Sequence, residues 1–319
     1  MHGGGVEVEG LRKVFGKKTA LEEVSFTVEP GAVVGLLGPN GAGKTTAVNC
    51  LSTLLPLDGG RASVAGHDVT RDPAGVRASL ALTGQFAAVD DVLTGRQNLV
   101  LFGRLLKLDR PAAAARAEEL LTAFGLGAAA DQPVKSYSGG MRRRLDLAAS
   151  LVVKRPVVVL DEPTTGLDPA GRQEMWDVVA GLREEGVTLL LTTQYLEEAD
   201  RLADRIVLID HGRVVAEGTP GELKKRVGGQ VCEVVAEPRE QVLRTLRERL
   251  EGVEESGGTV TVRGADSDTL AEVVAALREA GIEADDIRLR RPTLDEVFFA
   301  LTGHRSGQRR GEEREEVGS

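Results

Sequence analysis

Gly38-Pro39-Asn40-Gly41-Ala42-Gly43-Lys44-Thr45-Thr46 is the stretch on which the reading of this chain turns. Before it runs Ala32-Val33-Val34-Gly35-Leu36-Leu37, apolar enough for a buried strand, and after it Ala47, Val48, Cys50, Leu51 and Leu54 recur at helical spacing. Strand, glycine-rich turn and helix are the context that the pattern G-x-x-x-x-G-K-[ST] requires. The glycines let the backbone curl until successive N–H groups point at one centre, and the helix start adds partial positive charge there. A triphosphate suits that centre. Lys44 is placed to reach its β- and γ-phosphates, and the Thr45 hydroxyl to ligate Mg²⁺.

A second signal lies downstream in Val157-Val158-Val159-Leu160-Asp161-Glu162. A hydrophobic strand that ends in a carboxylate can deliver it beside the phosphate loop. Asp161 suits Mg²⁺, held through its waters. Glu162, one residue on, points elsewhere and is a candidate to take a proton from the attacking water. A helical pattern over 170–185 separates this strand from Val187-Thr188-Leu189-Leu190-Leu191, the alternation that builds a parallel sheet. Between the two chemical signals, residues 95–107 and 111–125 read as helices rich in Ala and Leu, and the same texture continues through 138–153.

The segment Tyr137-Ser138-Gly139-Gly140-Met141-Arg142-Arg143-Arg144 resembles the LSGGQ signature of ABC ATPases. The Ser138 hydroxyl, Gly139, Gly140 and the helix that follows make a second anion site. In that family the signature of one protomer closes over ATP held by the phosphate loop of the other, so the resemblance implies a head-to-tail pair of two copies. It also implies an α/β P-loop core with an antiparallel β subdomain and a helical subdomain inserted at about residues 86–153. Phe15 matches the aromatic that stacks on adenine, although from the residues alone it reads equally as ordinary core. Gln85 matches the glutamine that touches Mg²⁺ and senses the transporter subunit. Thr165-Gly166-Leu167-Asp168 matches the D-loop. One position departs: Thr192-Thr193-Gln194-Tyr195 carries Gln194 where the family has a switch histidine. An amide can donate a hydrogen bond to the γ-phosphate but cannot relay a proton, which leaves Glu162 as the sole candidate base.

Around 218–229 the texture changes, and strands and helices then alternate: 231–236, 239–251, 258–263, 267–280, 284–290 and 293–302. We expect a nucleotide-binding domain over 1–222, a linker at 223–230, a small α+β domain of βαβ type over 231–302 and a charged, disordered tail over 303–319. In the last helix Leu294, Val297, Phe298 and Leu301 form an apolar stripe, facing its own domain, the nucleotide domain or a second protomer. The tail-side module ends in Pro292-Thr293-Leu294-Asp295-Glu296-Val297-Phe298. With the signature segment it makes the chain most similar to daunorubicin-resistance ATP-binding subunits, which drive efflux through a separate ABC-2-type membrane subunit. Export of lipid or polysaccharide, or an ABC ATPase without a transport role, are the alternatives. The arginines Arg142–Arg144 read as a partner-contacting patch or as a solvated helix face.

Composition agrees with this reading. A formal charge of −9 over 319 residues, with no sustained basic face, argues against a nucleic-acid partner. Cys50 and Cys232 lie far apart outside any metal-spacing pattern and suggest a reducing cytoplasm. No apolar run approaches the ~20 residues that span a bilayer. The expected location is therefore the cytoplasmic face of the membrane, held there by a partner.

Overall fold

The computed structural model describes residues 4–83, 89–226, 230–256 and 258–302, and the chain divides between Thr219 and Pro220 into two compact units. The first unit begins with β1 (Val6–Phe15) and β2 (Lys18–Val28), followed by β3 (Val33–Leu37) and α1 (Lys44–Leu51). Next come β4 (Gly59–Val64), β5 (His67–Asp68), α2 (Pro73–Ser79) and β6 (Leu80–Thr83). The helical block holds α3 (Gly95–Leu105), α4 (Arg110–Ala123) and α5 (Gly139–Ser150). The unit closes with β7 (Val157–Asp161), α6 (Pro169–Glu184), β8 (Thr188–Thr193), α7 (Leu196–Leu202), β9 (Arg205–Asp210) and β10 (Arg213–Gly218).

Two sheets organise it. One is antiparallel in the order β2-β1-β4-β5; the other runs β10-β9-β3-β8-β7-β6 and is parallel except for β10. The apolar runs of β3, β7 and β8 are buried from end to end because both faces of this sheet are covered. Val34, Leu36, Val157, Val159 and Leu190 face the core shared with β1, β2 and α1. Their neighbours Val33, Val158, Leu160, Leu189 and Leu191 face the core built with α3 to α6. The period-two split of each run between two cores explains why the strands carry no amphipathic alternation.

β1 continues past Val8 to Phe15 through a register shift at Gly10, whose φ of 58° suits glycine. Arg142–Arg144 are all engaged within the chain. Arg142 pairs with Asp91, Arg144 with Glu174 and the Phe124 carbonyl, and Arg143 turns inward.

The second unit holds α8 (Pro220–Arg226), β11 (Gln230–Ala236), α9 (Arg239–Arg247), β12 (Val253–Ser256), β13 (Thr259–Ala265), α10 (Ser267–Glu279), β14 (Ala284–Arg290) and α11 (Leu294–Thr302). Its sheet, β12-β13-β11-β14, is antiparallel throughout, and Val234, Val242, Leu246, Val262, Val273 and Leu277 share its core. The unexpected strand β12 makes this a split β-α-β-β-α-β arrangement rather than adjacent parallel βαβ strands. The linker expected at 223–230 is also corrected. Residues up to Arg226 are helical, Leu223 is buried, and α8 lies against α11. Gly228-Gly229 and the 303–319 tail lie outside the described residues. Leu294, Val297 and Phe298 of α11 are buried while Leu301 is exposed, and Arg290 anchors the helix by bridging Glu233 and Glu296 at 2.7 and 2.8 Å.

Candidate nucleotide site

The phosphate-loop residues Gly38 to Thr46 connect β3 to α1 at the carboxyl edge of the parallel sheet, where open α/β sheets hold ligands. Two glycines there have no substitute. A Cβ on Gly38 would stand 2.2 Å from the Ile209 carbonyl oxygen. Gly43, at φ 112°, would bring one within 2.7 Å of Leu21 and 2.8 Å of the Ala20 carbonyl. No side chain caps α1 and no acid occupies its first turn, so its leading N–H groups face the loop for an anion to use. The turn between β9 and β10 braces the loop from behind: Gly212 N–H donates to the Ala42 carbonyl, and the Gly212 carbonyl accepts from Glu22 N–H.

Lys44 is buried, and its ammonium donates to the carbonyls of Gly38 and Pro39 at 2.8 and 3.1 Å. The Glu162 carboxylate stands 3.4 Å from it. Burial pulls the Lys44 pKa below its ordinary value, and Glu162 and Asp161 oppose that shift. The other Glu162 oxygen accepts from the Thr165 hydroxyl at 3.2 Å. Glu162 itself has φ 50°, a left-handed conformation uncommon outside glycine. That backbone turn sends its side chain away from the direction that the strand gives Asp161.

Asp161 and Lys44 do not come from neighbouring strands, because β8 lies between β3 and β7. The intervening strand contributes Thr192, fully buried, whose hydroxyl donates to Asp161 Oδ1 and accepts from Glu162 N–H at 3.0 Å. Thr45 Oγ1 approaches the same Asp161 oxygen at 3.5 Å. A hydroxyl and a carboxylate converging in this way are hard oxygen donors of the kind Mg²⁺ accepts. Gln85, expected beside them, lies outside the described residues.

The signature residues stand at the start of α5. Ser138 Oγ accepts from Met141 N–H at 3.2 Å as the helix cap, and the Cα hydrogen of Gly139 points into open space. Asp168 caps α6 through Gly171 N–H at 2.9 Å, and a Cβ on Gly140 would lie 3.8 Å from Gly171 Cα. The signature and the D-loop residue are thus brought together, as two adjacent helix starts. Gln194 is half-buried directly after β8, whose last residue Thr193 is in register with Leu37 before the loop. Phe15 ends β1 in the other sheet and is 47% exposed, too open for the core reading, with Lys13 Nζ 5.6 Å from its ring centroid.

Four positions escaped the sequence reading: Gly212, Thr192, Arg143 and Glu198. Glu198 is fully buried, and burial raises its carboxyl pKa. It accepts from Trp176 Nε1 at 3.3 Å.

A glycine loop, a buried lysine and two carboxylates of different aim at one sheet edge define a P-loop nucleoside triphosphatase. The sequence family described as "ABC transporter" matches residues 21–165, and "ATP-binding protein DrrA1-3-like, C-terminal domain" matches 218–302. A daunorubicin resistance ATP-binding protein of Streptomyces coeruleorubidus is 53% identical over 96% of this chain and 97% of its own length. A Nod factor export ATP-binding protein of Ralstonia nicotianae is 39% identical over 93% and 94%. Among solved structures, an ATP-binding subunit of an ABC transporter superposes with TM-score 0.62 at 28% identity, over 69% of this chain and 92% of that one. The chain belongs to the ATP-binding subunits of ABC transporters, of the daunorubicin- and doxorubicin-resistance type. It is an ATPase that powers transport.

Proposed function

We propose that this chain energises an ABC-2-type exporter of drugs or antibiotics from the cytoplasmic face of the membrane. In this reading a separate permease subunit forms the cargo path; among the described residues no helix is long and apolar enough to cross a membrane. The nucleotide domain runs to about residue 219, and the unit from Pro220 is an accessory domain.

In this reading the Gly38–Thr46 backbone and Lys44 hold the β- and γ-phosphates, and Phe15 stacks on the adenine. Thr45 and Asp161, with Gln85, hold Mg²⁺, which neutralises phosphate charge. Ser138, Gly139 and Gly140 of a second copy, with Asp168 beside them, close over the γ-phosphate in a head-to-tail dimer. Glu162 takes the proton of the attacking water as its oxygen forms a bond to the γ-phosphorus and ADP departs. Gln194 donates to the γ-phosphate and moves no proton. The dimer opens when the products leave.

The observation that carries the proposal is the Glu162 carboxylate, held between Lys44 and Thr165 beside Asp161. Glu162→Gln should lower kcat by on the order of 100-fold or more while ATP affinity holds and ATP-dependent dimers accumulate. Wild-type turnover in that variant would remove the base assignment. For the cargo, cells carrying the chain with its permease should accumulate less daunorubicin than cells carrying the Glu162→Gln chain. Equal accumulation would leave the ATPase standing and favour a different cargo, the reading that the Nod factor export relative supports.

A further inference from the structure

Among the three signature-helix arginines, Arg143 is distinguished by a guanidinium that spans three consecutive carbonyls. Nε donates to Pro163 O at 3.0 Å, and Nη2 donates to Asp161 O and Glu162 O, both at 3.1 Å. The peptide units it grips flank Glu162, the residue with φ 50°. A left-handed glutamate persists only where its surroundings over-determine it, and here the surroundings are this fork and the Thr192 contacts on the Glu162 N–H. Burial pulls the Arg143 pKa below its ordinary value, and Asp146, Asp161, Glu198 and Glu162 oppose that shift.

We propose that Arg143 is a positioning residue for Glu162, fixing the backbone turn that aims its carboxylate. Because Arg143 and the Ser138 cap share α5, it also ties the signature segment of a chain to the base of that same chain. In a head-to-tail pair those two groups serve different ATP molecules. A shift of α5 as Ser138 engages one nucleotide therefore reaches the base that acts on the other. This rests on the reading of Glu162 as the general base.

The test uses the full chain with Arg143→Met and Arg143→Lys, and Glu162→Gln in parallel. The readouts are kcat, the equilibrium dissociation constant for ATP, and unfolding followed through Trp176. Arg143→Met should lower kcat by on the order of 100-fold, the cost of a small misplacement of a reacting group. Its ATP dissociation constant should stay within about twofold of wild type, a split that a merely structural role would not produce. Arg143→Lys keeps the charge but not the planar fork, and should recover less than about a tenth of the lost rate. Wild-type kcat in either folded variant overturns the proposal. So does loss of ATP binding together with turnover, or failure of both variants to fold, since each makes Arg143 structural. If Glu162→Gln retains turnover, the base assignment itself falls; if it is inactive while Arg143→Met is not, only the clamp falls.

Discussion

Thr192→Val tests whether the strand between the loop and the carboxylates organises the site. The swap is close to isosteric, yet Thr192 is fully buried and its hydroxyl serves two partners. It donates to Asp161 Oδ1 and accepts from Glu162 N–H at 3.0 Å. Losing a hydrogen bond to a charged acceptor costs about 1.5–3 kcal/mol. The second loss is smaller, about 0.5–1 kcal/mol, because Glu162 N–H also reaches the Thr192 carbonyl at 3.1 Å. Together the expected destabilisation of the first unit is about 2–4 kcal/mol. Thr192→Ser keeps the hydroxyl and removes one buried methyl, worth about 1 kcal/mol. Trp176, the only tryptophan, is buried in this unit and reports its unfolding in urea separately from the second unit. The valine variant should fall below the serine variant in stability, and in kcat as well. If serine proves as costly as valine, the methyl rather than the hydroxyl matters, and the account of Asp161 fails.

Three further outcomes are expected. Gly43→Ala must fit a Cβ 2.7 Å from Leu21 at φ 112°, so it should lose at least about 2 kcal/mol of stability and tenfold or more in ATP affinity, as read by urea titration and equilibrium binding. Gly41→Ala, where nothing lies within 4 Å, bears only the backbone penalty of its φ of 80° and should remain well above it in stability. Gln194→His should retain ATPase activity and add an inflection near pH 6.5 to the rate profile; complete loss of activity would assign the amide a specific role. For Glu198, burial raises the folded-state pKa above its ordinary 4.5, so above that pH the unfolded chain binds fewer protons than the folded one. Stability should therefore fall as pH rises from 4.5 toward the raised folded value, and Glu198→Gln should remove that limb in urea titrations across pH. A wild-type curve without it would mean that the carboxyl is ionised in place.

Local patterns were legible in the sequence where one segment carries its own physics. Gly38–Thr46, the Val157–Glu162 strand and the Ser138 cap are each contiguous, and each sits on the element its residues demand. The starts of α4 and α6, at Arg110 and Pro169, fall within one residue of the expected 111 and 170. β12 was missed because Val253-Glu254-Glu255-Ser256 shows one apolar residue, and its pairing with β13 supplies the order that its composition lacks. Arg143 was missed because three successive arginines on a helix point in three directions, and nothing local says which one meets the 161–163 carbonyls.

By itself the sequence determined the ligand class, the two carboxylates and the elements that carry them, since a phosphate cradle and a strand-end acid depend on residues next to one another. The tertiary structure decided what joins them. Strand order places β8 between β3 and β7, so Thr192 comes to bind both Asp161 and the Glu162 N–H beside the loop. Packing of α5 onto the end of β7 puts a guanidinium on the backbone of Glu162. Both are long-range pairings, selected by how two cores close on either face of one sheet, and no local spacing encodes them.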